Sequence, residues 1–94
     1  MNNIYFNQLT PDRVIKNISN SSRKLRKRKK WSQVDLAEKS GVSLGSVKRF
    51  EGTGEISLKS LVKIAISLGM EKELNNLFTD IPPNSIKEII DGKY

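Results

Sequence analysis

The chain is 94 residues long, carries 17 Lys and Arg against 10 Asp and Glu, and has a formal charge of +7, which suits one small basic domain with a modest core. It contains neither cysteine nor histidine, so disulfides, thiolate or imidazole metal sites and histidine acid–base catalysis are excluded. No apolar run approaches the ~18 residues of a membrane span, and the opening MNNIYFNQLT lacks the basic-then-apolar order of a secretion signal, so a cytoplasmic location is expected.

In chain order, the first ten residues hold Ile4-Tyr5-Phe6, a short strand-like stretch with no evident partner. Thr10-Pro11-Asp12 then reads as a helix start: a hydroxyl cap, a proline in the first turn and an acid near the N-terminus. Val14, Ile15, Ile18, Ser22 and Leu25 follow at helical spacing, so the first helix is expected from about Pro11 to Lys29 with an apolar inner face, and Ser19 to Ser22 admits a break. From Arg13 to Val34 there are nine basic residues and no acidic one, and seven of the eight residues from Arg23 to Lys30 are basic. A field of this kind attracts polyanions, either nucleic acid or an anionic membrane surface. The membrane reading is the weaker, because the core needs Val14, Ile18 and Leu25. Trp31 is expected to pack as a staple on the helix that follows.

Ser32 caps a second helix, Gln33 to Ser40, with Val34, Leu36 and Ala37 apolar, and Gly41 supplies the positive φ that stops it. Ser43 caps a third helix from Leu44 to about Glu51, with Leu44, Val47 and Phe50 at i, i+3 and i+6. Gly52-Thr53-Gly54 makes a turn. Ser57 caps the next start, and Leu58, Leu61, Val62, Ile64, Ala65, Ile66 and Leu68 give that helix a wide apolar face central to the core. Gly69 ends it, and Glu71 to Phe78 reads as a short fifth helix. Ile81-Pro82-Pro83 breaks the chain, and Ser85 to Asp91 has the spacing of a last turn or two. Residues 71–94 hold 3 basic and 5 acidic residues, so the positive charge is confined to the first part of the chain.

Two short helices joined tightly at Gly41 have the pattern of a helix–turn–helix. Ala37 is small where the helices cross, and Leu36, Val42, Val47 and Phe50 point inward. The segment from about Leu25 to Leu77 resembles the Cro/repressor-type (XRE family) helix–turn–helix domain of phage and bacterial regulators. The residues that carry the resemblance are Gln33, Leu36, Ala37, Gly41, Val42, Val47, Phe50 and Glu51, followed by the helix from Leu58 to Leu68. It implies an all-α, five-helix, lambda-repressor-like domain over residues 11–80, with extensions at 1–10 and 81–94. It also implies a transcription regulator that binds double-stranded DNA as a dimer, with half-sites about 34 Å apart.

Carried over residue by residue, the resemblance places Gln33 on the DNA backbone and Ser43, Leu44, Gly45, Ser46 and Arg49 in the major groove. Gly45 forgoes roughly 1 kcal/mol of helix propensity relative to Ala, which fits a backbone that approaches a partner closely, or a tolerated surface glycine. Polar amides are common at the reading positions of relatives, and here stand Leu44 and Gly45. Hydrogen-bond readout therefore falls mainly on Arg49, which can engage guanine O6 and N7 together. The other readings of Arg49 are a phosphate clamp or an ion pair with Glu51 or Glu38. Leu44 is suited to a thymine methyl.

Arg23, Arg26, Lys27, Arg28 and Lys30 of the basic run are candidate phosphate contacts, against a merely solvated face. Lys48, Thr53 and Lys59, beside the reading helix, are further candidates. At the two ends Tyr5, Phe6, Ile86, Ile89 and Ile90 either thicken a thin core or form a dimer or partner surface. The segments FNQLTPDRV and SGVSLGSVKRFEGTGEISLKSLVKIAISLGM also resemble regulators paired with HipA-type kinases in toxin–antitoxin operons, which implies an antitoxin with a kinase partner.

Three functions follow: a sequence-specific autorepressor, an interaction module or antitoxin with secondary DNA binding, and a sequence-independent nucleic-acid binder using Arg23 to Lys30. Enzymatic activity and a cofactor are not expected. The carboxylates are scattered, and Gly52-Thr53-Gly54 lacks the lysine and strand context of a nucleotide loop.

Overall fold

A computed structural model describes residues 9–79 and residue 92. Five helices follow one another: α1 Pro11–Arg28, α2 Gln33–Ser40, α3 Leu44–Thr53, α4 Leu58–Ser67 and α5 Glu71–Asn75. Among the described residues there is no strand, and the all-α, five-helix expectation holds. The strand considered at Ile4-Tyr5-Phe6 and the turn at 85–91, with Tyr5, Phe6, Ile86, Ile89 and Ile90, lie outside the described residues. Among the described residues no helix is long and apolar enough to cross a membrane.

The helix starts are set by local chemistry. Thr10, Ser32, Ser43 and Ser57 each accept a hydrogen bond from the backbone N–H three residues on, satisfying one of the orphan donors of a first turn. Ser32 does more. Its own N–H donates to Asp35 Oδ2 at 2.8 Å while Asp35 N–H donates to Ser32 Oγ at 3.0 Å, a reciprocal box with Asp in the place usually taken by Glu. These bonds hold the Asp35 carboxyl below its usual range.

Packing follows from these elements. α3 lies against α1 and α2, α4 against α2, and α5 against α4. Leu36, Val47, Phe50 and Ile64 are almost completely buried where these helices meet, with Val42 and Leu68 beside them. Each such side chain contributes about 1.5–3 kcal/mol relative to exposure. Gly41 sits in the left-handed region at φ 76°, which turns the chain between α2 and α3 tightly enough for Val42 to enter the core. Trp31 packs against the edge of this cluster, with the ammonium groups of Lys29 and Lys39 at 5.2 and 4.9 Å from its ring centre.

α1 is continuous through Ser19 to Ser22, as the expected span from Pro11 requires, and both serines are buried. Four expectations change. The wide apolar face of α4 is only partly used: Ile64, Ala65 and Leu68 are buried, while Leu58, Val62 and Ile66 are exposed, because α2 and α5 pack on one side of it. The expected inner face of α1 divides: Ser22 is buried and Leu25 packs against the core, whereas Val14, Ile15 and Ile18 are 38–43% exposed, since α1 runs past the core that α2–α4 provide. α3 continues to Thr53 rather than stopping near Glu51, because the Thr53 hydroxyl donates to the Arg49 carbonyl at 2.7 Å and Gly54 takes the left-handed cap at φ 85°. α5 ends at Asn75 rather than Phe78. No side chain caps its start, and Phe78 has φ 67° and is exposed.

Candidate nucleic-acid interface

α2 and α3 stand as the helix–turn–helix unit, and α3 presents its outer face to solvent. Ser43, Gly45, Lys48 and Arg49 are exposed, and Leu44 and Ser46 are half-buried. Ser43 Oγ accepts from Ser46 N–H and donates to Ser46 Oγ at 2.9 Å, which leaves Ser46 its own hydroxyl proton to donate outward. A Cβ built on Gly45 would meet nothing within 4 Å. The missing side chain is therefore not required by any contact among the described residues.

Arg49 forms an ion pair with Glu55, using Nη2 and Oε1, with both side chains about two-thirds exposed. Its partner is neither Glu51 nor Glu38, the two carboxylates considered from the sequence. The Thr53 hydroxyl is committed to the end of α3, donating to the Arg49 carbonyl and accepting from the Glu55 N–H at 3.1 Å. It is a structural cap, and its proton is not free for a phosphate.

Behind α3 lies a charged network that the sequence did not reveal. Arg26 is only 7% exposed. Its Nε donates to Glu51 Oε2 at 2.8 Å, its Nη2 to Glu51 Oε1 at 3.0 Å and its Nη1 to the Trp31 carbonyl at 2.7 Å. Arg26 thus departs from the phosphate set in which its sequence neighbours placed it, because every arm of its guanidinium is engaged inside the protein. Gln33 Nε2 also donates to Glu51 Oε1, at 3.0 Å, so Glu51 ties the ends of α1 and α3 to the start of α2. Burial pushes the Glu51 carboxyl up, but hydrogen bonds from Arg26 and Gln33 and the charges of Arg26 and Arg23 outweigh it and hold the group below its usual range. The amide of Gln33 is oriented by this network while its second N–H stays available.

The other candidate cations, Arg23, Lys27, Arg28, Lys30, Lys48 and Lys59, are all exposed. Lys30 is unusual. α1 ends in a Schellman turn in which Trp31 N–H donates to the Arg26 carbonyl and Lys30 N–H to the Lys27 carbonyl, and Lys30 occupies the left-handed position at φ 60°. Glycine is the usual residue there. Lys16 was not singled out from the sequence, yet it borders the groove between α1 and α3 together with Ser46 and Arg49. Its spacing from Arg23 and Lys27, at i, i+7 and i+11, places all three on one side of α1. Extending the helical period back from the basic run is the signal that finds it.

The comparisons agree with this geometry. The helix-turn-helix family model HTH_3 matches residues 23–74, from the basic run of α1 to α5 and over half of the chain. No curated protein and no solved structure gives a significant match. With capped α2 and α3 joined at Gly41 and the polar face of α3 open to solvent, the chain belongs to the XRE-type helix-turn-helix family of DNA-binding transcription regulators.

Proposed function

We propose that the chain is a sequence-specific regulator, acting as a cytoplasmic dimer, that binds an operator upstream of its own gene and represses it. α3 enters the major groove with Ser43, Leu44, Gly45, Ser46 and Arg49 toward the bases. Gln33, Arg23, Lys27, Arg28, Lys30, Lys48 and Lys59 hold the phosphates. The observation that carries this reading is the outer face of α3: small side chains, a glycine whose missing Cβ answers to no contact among the described residues, and a single guanidinium beside them. That combination suits close backbone approach with one strong base contact, and bidentate Arg–guanine pairs discriminate by about 1–3 kcal/mol.

The test is binding to DNA from upstream of the gene in near-physiological salt with excess random duplex. A two-fold symmetric footprint is expected, weakened roughly 10- to 100-fold by Arg49→Ala. Binding that random DNA erases and Arg49→Ala leaves unchanged would instead assign the basic run of α1 a sequence-independent role.

A second reading, an antitoxin that binds a HipA-type kinase, is favoured by an apolar groove that the described residues leave open among α1, α4 and α5, lined by Ile18, Leu61, Leu68, Leu74 and Leu77. The same groove supports dimerisation. A chain lacking residues 81–94 that still binds DNA but fails to retain a co-expressed kinase encoded beside it supports this reading.

A further inference from the structure

Glu55 is an acid in a place that works against DNA binding. It stands at the end of the reading helix of a strongly basic chain. It is also held there: Thr53 Oγ1 bridges the Arg49 carbonyl and the Glu55 N–H, and Gly54 turns the chain back through the left-handed region at φ 85°. The Gly54 turn is itself pressed against Ile15 of α1, whose Cγ2 occupies the space a Cβ would need. The carboxylate is therefore aimed at Arg49 by a supported turn. Stability does not explain the pair, because ion pairs this exposed contribute little.

The geometry of the pair suggests what it does. Glu55 engages Nη2 alone, so Nε and Nη1 remain for a second acceptor. A carboxylate on one arm of a guanidinium fixes its plane and restrains it from swinging to the nearest phosphate. It also repels phosphates on any DNA, an unfavourable term that Arg49 offsets only where a guanine offers O6 and N7. Resting on the assignment of Arg49 as the base reader, we infer that Glu55 is a positioning residue that sets sequence specificity, sacrificing general DNA affinity to hold Arg49 for a base.

The experiment begins with selection of a preferred duplex from a random pool by the native chain. Affinities of the native chain, Glu55→Gln, Arg49→Ala and the double variant are then measured on that duplex and on a random duplex of equal length, with thermal melts to check folding. Glu55→Gln is expected to tighten binding to random DNA about tenfold more than to the selected site, so that the specificity ratio falls about tenfold. In the Arg49→Ala background the substitution is expected to leave the ratio unchanged. An equal gain on both duplexes overturns the inference and reduces Glu55 to a general repulsive charge, as does a ratio change that persists without Arg49. A selected site on which Arg49→Ala has no effect removes Arg49 as reader, and the inference with it. A pool that yields no preferred sequence overturns sequence-specific binding altogether.

Discussion

Arg26 sits in a run of basic residues, and it alone among them is buried, because Glu51 lies opposite it on α3. Removing one partner of such a pair leaves an uncompensated buried charge, so Arg26→Ala is expected to cost about 3–5 kcal/mol in urea unfolding. The double replacement Arg26→Met with Glu51→Leu is expected to retain most of the stability, since two apolar groups leave no charge to solvate. The pH dependence has a definite sign. The folded-state pKa of Glu51 is depressed, so its contribution is complete above the ordinary glutamate value of about 4.3 and is lost as pH falls through the lower folded value. Glu51→Gln is therefore expected to flatten the acid limb of a stability–pH profile while lowering the plateau near neutrality. Gly45 poses the opposite case. A Cβ there would meet nothing within 4 Å among the described residues and Gly45 lies within α3, so Gly45→Ala is expected to raise stability by about 0.5–1 kcal/mol. If the backbone of α3 meets base edges, the same methyl group weakens operator binding; a variant that is both more stable and equally tight would make Gly45 a tolerated surface glycine.

At the scale of elements, the helix starts were legible and the faces were not. A cap is a contact between a hydroxyl and an N–H three residues away, so Thr10, Ser32, Ser43 and Ser57 carry their own evidence in the local sequence. The inner face of α1 depends on what packs against it. Periodicity selects Val14, Ile15, Ile18, Ser22 and Leu25; Ser22 is buried and Leu25 packs on the core, but Val14, Ile15 and Ile18 are part-open, and the buried Ser19 and Arg26 fall outside the pattern. The end of α1 shows the same limit, because nothing in RKKWS announces a left-handed lysine. Lys30 at φ 60° stands where glycine would relieve backbone strain of about 1 kcal/mol, and strain of this kind often marks a functional position. Lys30→Gly is accordingly expected to raise the thermal midpoint by a few degrees and to weaken binding to all DNA sequences alike. An equally stable variant would show that the turn tolerates lysine at no cost. A more stable variant with unchanged DNA affinity would remove Lys30 from the phosphate contacts.

For the whole molecule, the sequence marks the candidate interface coarsely, through the position of its charge, and the structure sorts that charge by direction. The basic run reads as one uniform patch, but its members divide: Arg26 turns inward to Glu51, Lys29 lies over the Trp31 ring, and Arg23 and Lys27 share one side of α1 with Lys16. That side borders the reading helix at its upper end, where Lys16 shares a groove with Ser46 and Arg49. At its lower end the Arg23 charge acts on Glu51, the acceptor of Gln33. If α3 enters the major groove as proposed, a stripe so placed would follow the flanking strand. Each phosphate contact releases condensed counterions and adds about 0.9 to the slope of log affinity against log salt. Lys16→Gln and Lys27→Gln are each expected to reduce that slope by about 0.9 and to weaken selected and random duplexes by the same factor. Arg26→Met, made together with Glu51→Leu to keep the fold, is expected to leave the slope unchanged because its guanidinium is engaged by Glu51 and the Trp31 carbonyl. A full-sized slope in Lys16→Gln would shorten the interface to the part of α1 beyond Arg23. A reduced slope in the Arg26 and Glu51 double variant would mean that the buried network opens when DNA is bound.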